Sequence, residues 1–326
     1  VTDVLDQFLP QGLPPTPTVS IELDSEGRPP FPQFFDSSML SSFKTCETLF
    51  YNQYIHHWKP KDQSVHLHAG GAFAKGMEVA RKAFYVDRHD EETSVALGLQ
   101  ALLTFYGDFD CPEDSAKSAT RMAGAFEFYF ANYPLTWDDC VPLELSNGKR
   151  AIEFSFAEPC DVRHPVTGDP ILIVGRLDAI LGAFGARLIT DEKTTSSLGP
   201  SWSRQWDLRG QFSGYAWGCQ RAGIKVDGAL IRGVSILKTK YDTQQAITYR
   251  PEWLVNRWYD EACTWIMQAI ISWKHRRWRH NFDHACAEFG GCQFRQACSS
   301  ENPQPWLEAA FERRIWNPLL REEKKL

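Results

Sequence analysis

Two carboxylates and an ammonium in the stretch 171–195, ILIVGRLDAILGAFGARLITDEKTT, are the groups best spaced for chemistry. With Phe184-Gly185 as a two-residue hairpin turn, the flanking strands pair so that Asp178 falls directly opposite Asp191. Alternation along a strand then puts Asp191 and Lys193 on one face and Glu192 on the other. Carboxylates that close repel one another unless a cation lies between them. A hard divalent ion, Mg²⁺ or Mn²⁺, suits such oxygen donors. It would polarise a phosphoryl oxygen and acidify a bound water, which Lys193 would position or deprotonate. The competing reading is a surface hairpin whose Asp–Lys pairs lie in solvent.

Downstream residues favour the first reading. Gln211 and Tyr215 are four apart in RGQFSGYAWG, hence on one face of a predicted helix, where they could hold a water and a substrate phosphate. Arg204 and Arg209 add positive charge near that helix.

The elements that must carry these groups follow from the rest of the pattern. The prolines of residues 1–35 predict an extended arm, wrapped on the body or partly disordered. Asp36-Ser37-Ser38 reads as an N-cap, with apolar residues at helical spacing as far as Tyr54. Helices are expected near 71–85, 91–106 and 115–131, and strands over 139–145, 150–157, 171–182 and 186–194. One helix over 203–221, strands 227–237 and 244–250, and a long helix 251–275 complete the chain. The fold class is α/β (α+β), with one central mixed sheet flanked by helices.

Composition bounds the function. A chain of 326 residues with 43% hydrophobic and 23% charged residues can build a sizeable core. No run of about 18 apolar residues predicts a membrane span, and no secretion signal is read at VTDVLDQFLPQGLPP, so a cytoplasmic protein is expected. A net charge of −6 argues against a surface that binds polyanions everywhere, but permits a local basic channel. GxxxxGK[ST] is absent, which removes the reason to propose an ATPase. The stretch SWKHRRWRH, residues 272–280, interleaves Lys274, Arg276, Arg277 and Arg279 with Trp273 and Trp278. It reads as a DNA path, with cations on phosphates and indoles on unpaired bases, or as the solvated, dipole-favoured end of a long helix. His56, His57, His66 and His68 lack metal-site spacing and are read as loop histidines.

GxxD in one strand (Gly175 to Asp178), DxK in the next (Asp191, Lys193) and QxxxY in the following helix (Gln211, Tyr215) resemble the PD-(D/E)XK nucleases. The order is similar to that of the RecB-like branch, which includes AddB and the CRISPR-associated iron–sulphur exonucleases. The resemblance spans about Ser37 to Cys298. It implies a restriction-endonuclease-like core over 136–275, behind a helical region at 36–135 and ahead of a cysteine segment and tail at 276–326. It also implies that Asp178 and Asp191 ligate the catalytic Mg²⁺ or Mn²⁺, that Lys193 serves the nucleophilic water, and that Gln211 and Tyr215 support the site. The branch usually carries a histidine where Ala74 stands in GGAFAKGME. Glu78 remains, either as a further metal ligand or as a solvated helix residue.

Cys46 precedes the core, and Cys286, Cys292 and Cys298 follow it in CAEFGGCQFRQAC. In the iron–sulphur members one such cysteine before the core and three after it bind a [4Fe-4S] cluster. Four thiolates suit that cluster or zinc, and either would staple the C-terminal segment to the first helix. The implied activity is a metal-dependent DNA exonuclease of recombination or repair, in a phage or prophage setting (hence host cytoplasm). DNA with free ends is the implied substrate, and a recombination or single-strand-binding protein the implied partner. The alternatives are a DNA-binding pseudo-nuclease, motivated by Ala74, and a nuclease of CRISPR spacer processing.

Overall fold

The structure, a computed structural model, describes residues 23–62, 64–136, 139–287 and 291–316. The first 22 residues of the proline-rich arm and the last ten of the tail lie outside the described residues. Strand β1 (Phe34–Phe35) leads into α1 (Ser37–Thr45), α2 (Glu47–Phe50), a π turn at Tyr51–Ile55 and β2 (Trp58–Pro60). Helices α3 (Val65–Tyr85), α4 (Glu91–Tyr106) and α5 (Ala119–Asn132) follow. Then come β3 (Val141–Pro142), β4 (Ile152–Arg163), β5 (Pro170–Ala183) and β6 (Ala186–Thr195). Two helices, α6 (Pro200–Arg204) and α7 (Gly210–Arg221), cross over to β7 (Gly228–Ile236), β8 (Tyr241–Tyr249) and the long α8 (Glu252–Lys274). Short helices α9 (His284–Ala287), α10 (Arg295–Cys298) and α11 (Gln304–Ala310) precede β9 (Phe311–Arg313).

Among the described residues seven strands form one mixed sheet around β5. β4 and β6 flank β5 antiparallel, whereas β6 and β7 run parallel, as a crossover through α6 and α7 requires. All nine residues of β7, GALIRGVSI, are buried, because both sheet faces are covered. On one face Ile189 and Ile231 pack with Phe212 of α7 and Ile266 of α8; on the other Val234 and Ile236 pack with Phe73 of α3 and Phe126 of α5. No helix among the described residues is long and apolar enough to cross a membrane.

The expected hairpin is present. Phe184 (φ 52°) and Gly185 (φ 75°) both take the positive φ that a tight twisted hairpin demands, and the β5–β6 register follows from it. Asp36 caps α1 by accepting from Met39 N at 2.7 Å, and its other oxygen accepts from Trp316 Nε1.

Three expectations need correction. The helix begun at Ser37 is interrupted at Cys46, which is extended (φ −165°, ψ 125°), because Glu47 and Thr48 are drawn to Arg279. The helix expected over 203–221 is two pieces: the Trp206 carbonyl is taken by the buried Arg250 guanidinium at 2.7 Å and the chain turns there. His66 and His68 are not in a loop, since α3 begins at Val65; His68 stacks on Phe109 and its Nε2 meets the Tyr106 carbonyl at 2.8 Å.

Candidate active site

The β5–β6 ladder ends at Ala179 opposite Thr190, so Asp178 and Asp191 are the first residues past the point where the two strands part. β6 continues beside β7 through Thr195, which fixes Asp191 and Lys193 on a well-paired strand. Lys193 Nζ lies 2.8 Å from Asp191 Oδ2. Gln211 Nε2 donates to the same oxygen at 3.1 Å and is itself 3.2 Å from the Tyr215 hydroxyl. Helix α7 therefore presents its i and i+4 side chains to the strand, as the four-residue spacing requires.

Burial governs the electrostatics. Asp191 is 5% exposed. Its desolvation raises the carboxyl above the usual aspartate value, and the Lys193 charge offsets this only in part. Desolvation pulls Lys193 down, but the Asp191 carboxylate, with Asp178 adding to it, outweighs burial and holds the ammonium above the ordinary lysine range. Burial raises the Tyr215 phenol, and the charges of Asp191 and Asp178 push the same way, so it stays protonated. Asp178 thus acts on both Lys193 and Tyr215.

The donor set fits a hard cation. Among the described residues no donor besides Lys193 and Gln211 reaches the Asp191 carboxylate, so lone pairs remain on a nearly buried acid with Asp178 close by. No group of three or more His, Cys, Asp or Glu side chains among the described residues is arranged to hold a metal. Glu78 in particular is not brought in as a third carboxylate. Its oxygens meet Lys82 at 2.6 Å and Lys75 at 3.1 Å, with Arg176 at 3.9 Å. Burial would raise its pKa, but the two lysines prevail and hold it at about 2. Ala74 is exposed on the same helix.

Sequence reasoning missed the groups that brace the site from behind. Glu192 faces away from Asp191, as alternation dictates, into a bidentate pair with Arg81 of α3 at 2.9 and 2.5 Å. Tyr129 donates to the same carboxylate at 3.2 Å. Arg176 of β5 binds Glu153 of β4, a non-glycine residue at φ 55°. No local spacing on α3 points to the Arg81 pair, because Glu192 lies 111 residues away in the chain.

Gly175 of the GxxD pattern has a physical reason. A Cβ there would come 2.5 Å from Phe156 Cε1 and 3.1 Å from Tyr215 Cδ1, so only glycine lets Tyr215 pack against β5.

The other candidates divide. Arg204 and Arg209 are exposed beside α7, and Lys274, Arg276 and Arg277 are exposed at the end of α8. Arg279 is held in an ion pair with Glu47. Trp278 is half-buried, its ring 5.0 Å from Tyr51 and 6.0 Å from Phe50, which leaves less of it for a base. Trp273 is buried and donates to the Pro29 carbonyl, so it cannot stack on a base. Among the described residues Cys46, Cys286, Cys292 and Cys298 are not gathered into a metal-holding group, so the expected four-thiolate arrangement is not seen. Burial raises the Cys292 and Cys298 thiols, and their neighbours, Cys46 and Cys286 among them, add to it. All four are free thiols of intermediate exposure.

A mixed sheet flanked by helices, carrying two aspartates and a lysine where β5 and β6 part, defines a nuclease core of restriction-endonuclease-like kind. The family model of the PD-(D/E)XK nuclease superfamily matches residues 37–299, and the chain belongs to that superfamily. Among solved structures, the chain is similar to a "Putative exonuclease" from Eubacterium rectale at 12% identity, covering 93% of this chain and 98% of that one with a TM-score of 0.48. A second similar structure, SSO0001, has 14% identity over 71% of this chain and 84% of that one, with a TM-score of 0.26. A search of curated proteins finds no match.

Proposed function

We propose that this protein is a metal-dependent deoxyribonuclease of the RecB-like branch that shortens DNA from free ends. The observation that carries the reading is the cluster of Asp178, Asp191 and Lys193 at the parting of β5 and β6, braced by Gln211 and Tyr215. Asp178 and Asp191 would hold Mg²⁺ or Mn²⁺, which when bound supplies Lewis-acid polarisation of the phosphate and a more acidic water. Lys193 orients that water for in-line attack and balances charge developing on the phosphate. Gln211 fixes the Asp191 carboxylate, and Tyr215 fixes Gln211. Glu78 serves as a ligand only if it leaves Lys75 and Lys82.

Arg204 and Arg209 supply phosphate contacts beside α7; Lys274, Arg276 and Arg277, with Trp278 and Arg279 at the edge, offer a second basic surface. Cys46, Cys286, Cys292 and Cys298 are the thiols that would gather around a [4Fe-4S] cluster, or zinc as the alternative, on loading; among the described residues they are not already arranged to hold one. Their mutual influence across three chain segments supports a staple. Iron, sulphide and zinc content of anaerobically purified protein separates the two. A phage or prophage recombination system in the host cytoplasm, with a single-strand-binding partner, fits such an enzyme.

A second reading, a DNA-binding pseudo-nuclease, is favoured by Ala74 and by the lysine-bound state of Glu78. One experiment separates them: linear and covalently closed DNA incubated with Mg²⁺, Mn²⁺ or EDTA, with Asp191→Asn in parallel. Loss of linear DNA alone, abolished by EDTA and by the substitution, is the expected result. DNA retained on a gel and uncut under every ion would establish the binder.

A further inference from the structure

A cleft of about 740 Å³ opens between α1, the turn that separates α6 from α7, and α8. Gln211, whose amide holds Asp191, lines it, so the cleft and the carboxylate site share a wall. Ser38 and Ser41 line the side formed by α1, with Lys44 one residue short of that helix's end. Arg204, the last residue of α6, and Arg209, just before α7, also line it. Trp258 of α8 completes the lining.

The donors converge near Gly210. A Cβ at that position would lie 3.2 Å from Trp258 Nε1 and 3.8 Å from Lys44 Nζ. Among the described residues the Trp258 indole N–H has no acceptor. Three cations thus face one lining carboxylate, Asp207. Burial lowers the Lys44 ammonium; the Glu261 carboxylate of α8 opposes this, and repulsion from Arg209 adds to the lowering. A phosphate there would relieve that repulsion and take the indole hydrogen bond. Size selects the ligand further. Sites of this volume hold ligands of drug size, roughly one or two nucleotides, and no base-paired helix fits inside.

We infer that this cleft is a strand-binding subsite: it takes the single-stranded end of a polynucleotide, with phosphates on Lys44, Arg204 and Arg209, and presents the adjoining phosphodiester to Asp191. The inference rests on the nuclease reading above and adds to it a substrate class, an unpaired strand. Lys44 and Trp258 are drawn in by the fold alone, since neither stands out by spacing.

The test uses fluorescein-labelled oligothymidylate and the full-length protein. Binding is followed by anisotropy in EDTA between 50 and 200 mM NaCl, and cleavage of the same oligonucleotide is followed with Mn²⁺. Each phosphate neutralised on a single strand contributes about 0.7 to the slope of log K against log salt. The variant Lys44→Gln/Arg204→Gln/Arg209→Gln should therefore show a slope shallower by about 2 and a KM raised at least tenfold, with kcat largely kept. Circular dichroism confirms its fold. If wild type cuts and the variant binds and cuts like it, the inference is overturned while the nuclease reading stands. If wild type cuts nothing but the variant still loses the slope, the nuclease reading falls and the strand-binding cleft remains.

Discussion

Arg81→Met should destabilise the protein by about 3 kcal/mol, although Arg81 touches neither Asp191 nor Lys193. The Arg81 and Glu192 side chains are 6% and 2% exposed and meet in a bidentate pair. Desolvation would raise the Glu192 carboxyl; Arg81 first, then Arg232 and Tyr129, reverse this and keep it below the ordinary glutamate range. Removing one partner of a buried pair costs about 3–5 kcal/mol, most of it the charge left uncompensated. The Arg232 charge and the Tyr129 hydroxyl remain in the variant, which places the loss at the lower end. For a chain of 326 residues, whose unfolding entropy is about 2.1 cal/mol/K per residue, about 3 kcal/mol corresponds to a fall in Tm of roughly 4–5 °C. Urea unfolding followed by tryptophan fluorescence reads the loss directly. Adding Glu192→Gln to Arg81→Met removes the orphan charge and should restore at least about 1 kcal/mol, whereas Glu192→Gln alone strands Arg81 and destabilises. A loss under about 1 kcal/mol in Arg81→Met, or simple additivity in the double variant, would refute the view that this pair ties α3 to the strand bearing the site.

Two further predictions concern residues at the edge of the site. Glu78, held at about 2 by Lys82 and Lys75 against an ordinary 4.5, has a folded-state pKa below its unfolded one. Its contribution is therefore whole above roughly pH 4.5 and is lost as the pH falls through about 2. The limit is about 3 kcal/mol, lowered because both lysines are about a quarter exposed. Glu78→Gln should flatten the acid limb of a stability–pH curve, and a limb identical to that of wild type would remove this assignment. Gly175→Ala places a methyl group 2.5 Å from Phe156 and should cost about 1–3 kcal/mol by overpacking. It should also lower kcat by displacing Tyr215, and a variant of wild-type stability and rate would show that the glycine has no such role.

What was legible in the sequence was local. The hairpin at Phe184-Gly185 sets the register of Asp178 and Asp191 through chain connectivity alone, and strand alternation then sends Lys193 one way and Glu192 the other. The Lys75 and Lys82 partners of Glu78 were equally within reach, at three and four residues on one helix, and a stricter use of that spacing would have predicted its engagement. What escaped was decided by contacts far apart in the chain. The basic stretch 272–280 reads as one unit, yet Glu47 takes Arg279, Tyr51 and Phe50 take Trp278, and the Pro29 carbonyl takes Trp273.

The same long-range logic breaks the first helix at Cys46, and the break has a use. An unbroken helix would have no reason to halt two residues after Lys44, and the Glu47–Arg279 pair just beyond it anchors that end of α1 to the segment following α8. Lys44, on one wall of the cleft, and Cys46, the first of the four thiols, are therefore positioned by the same interruption. The end of α1 that carries Lys44 and the extended Cys46 thus adjoin one irregular turn. Neither could be read from apolar periodicity, because a residue that leaves the helix for a distant partner carries no periodic mark of doing so.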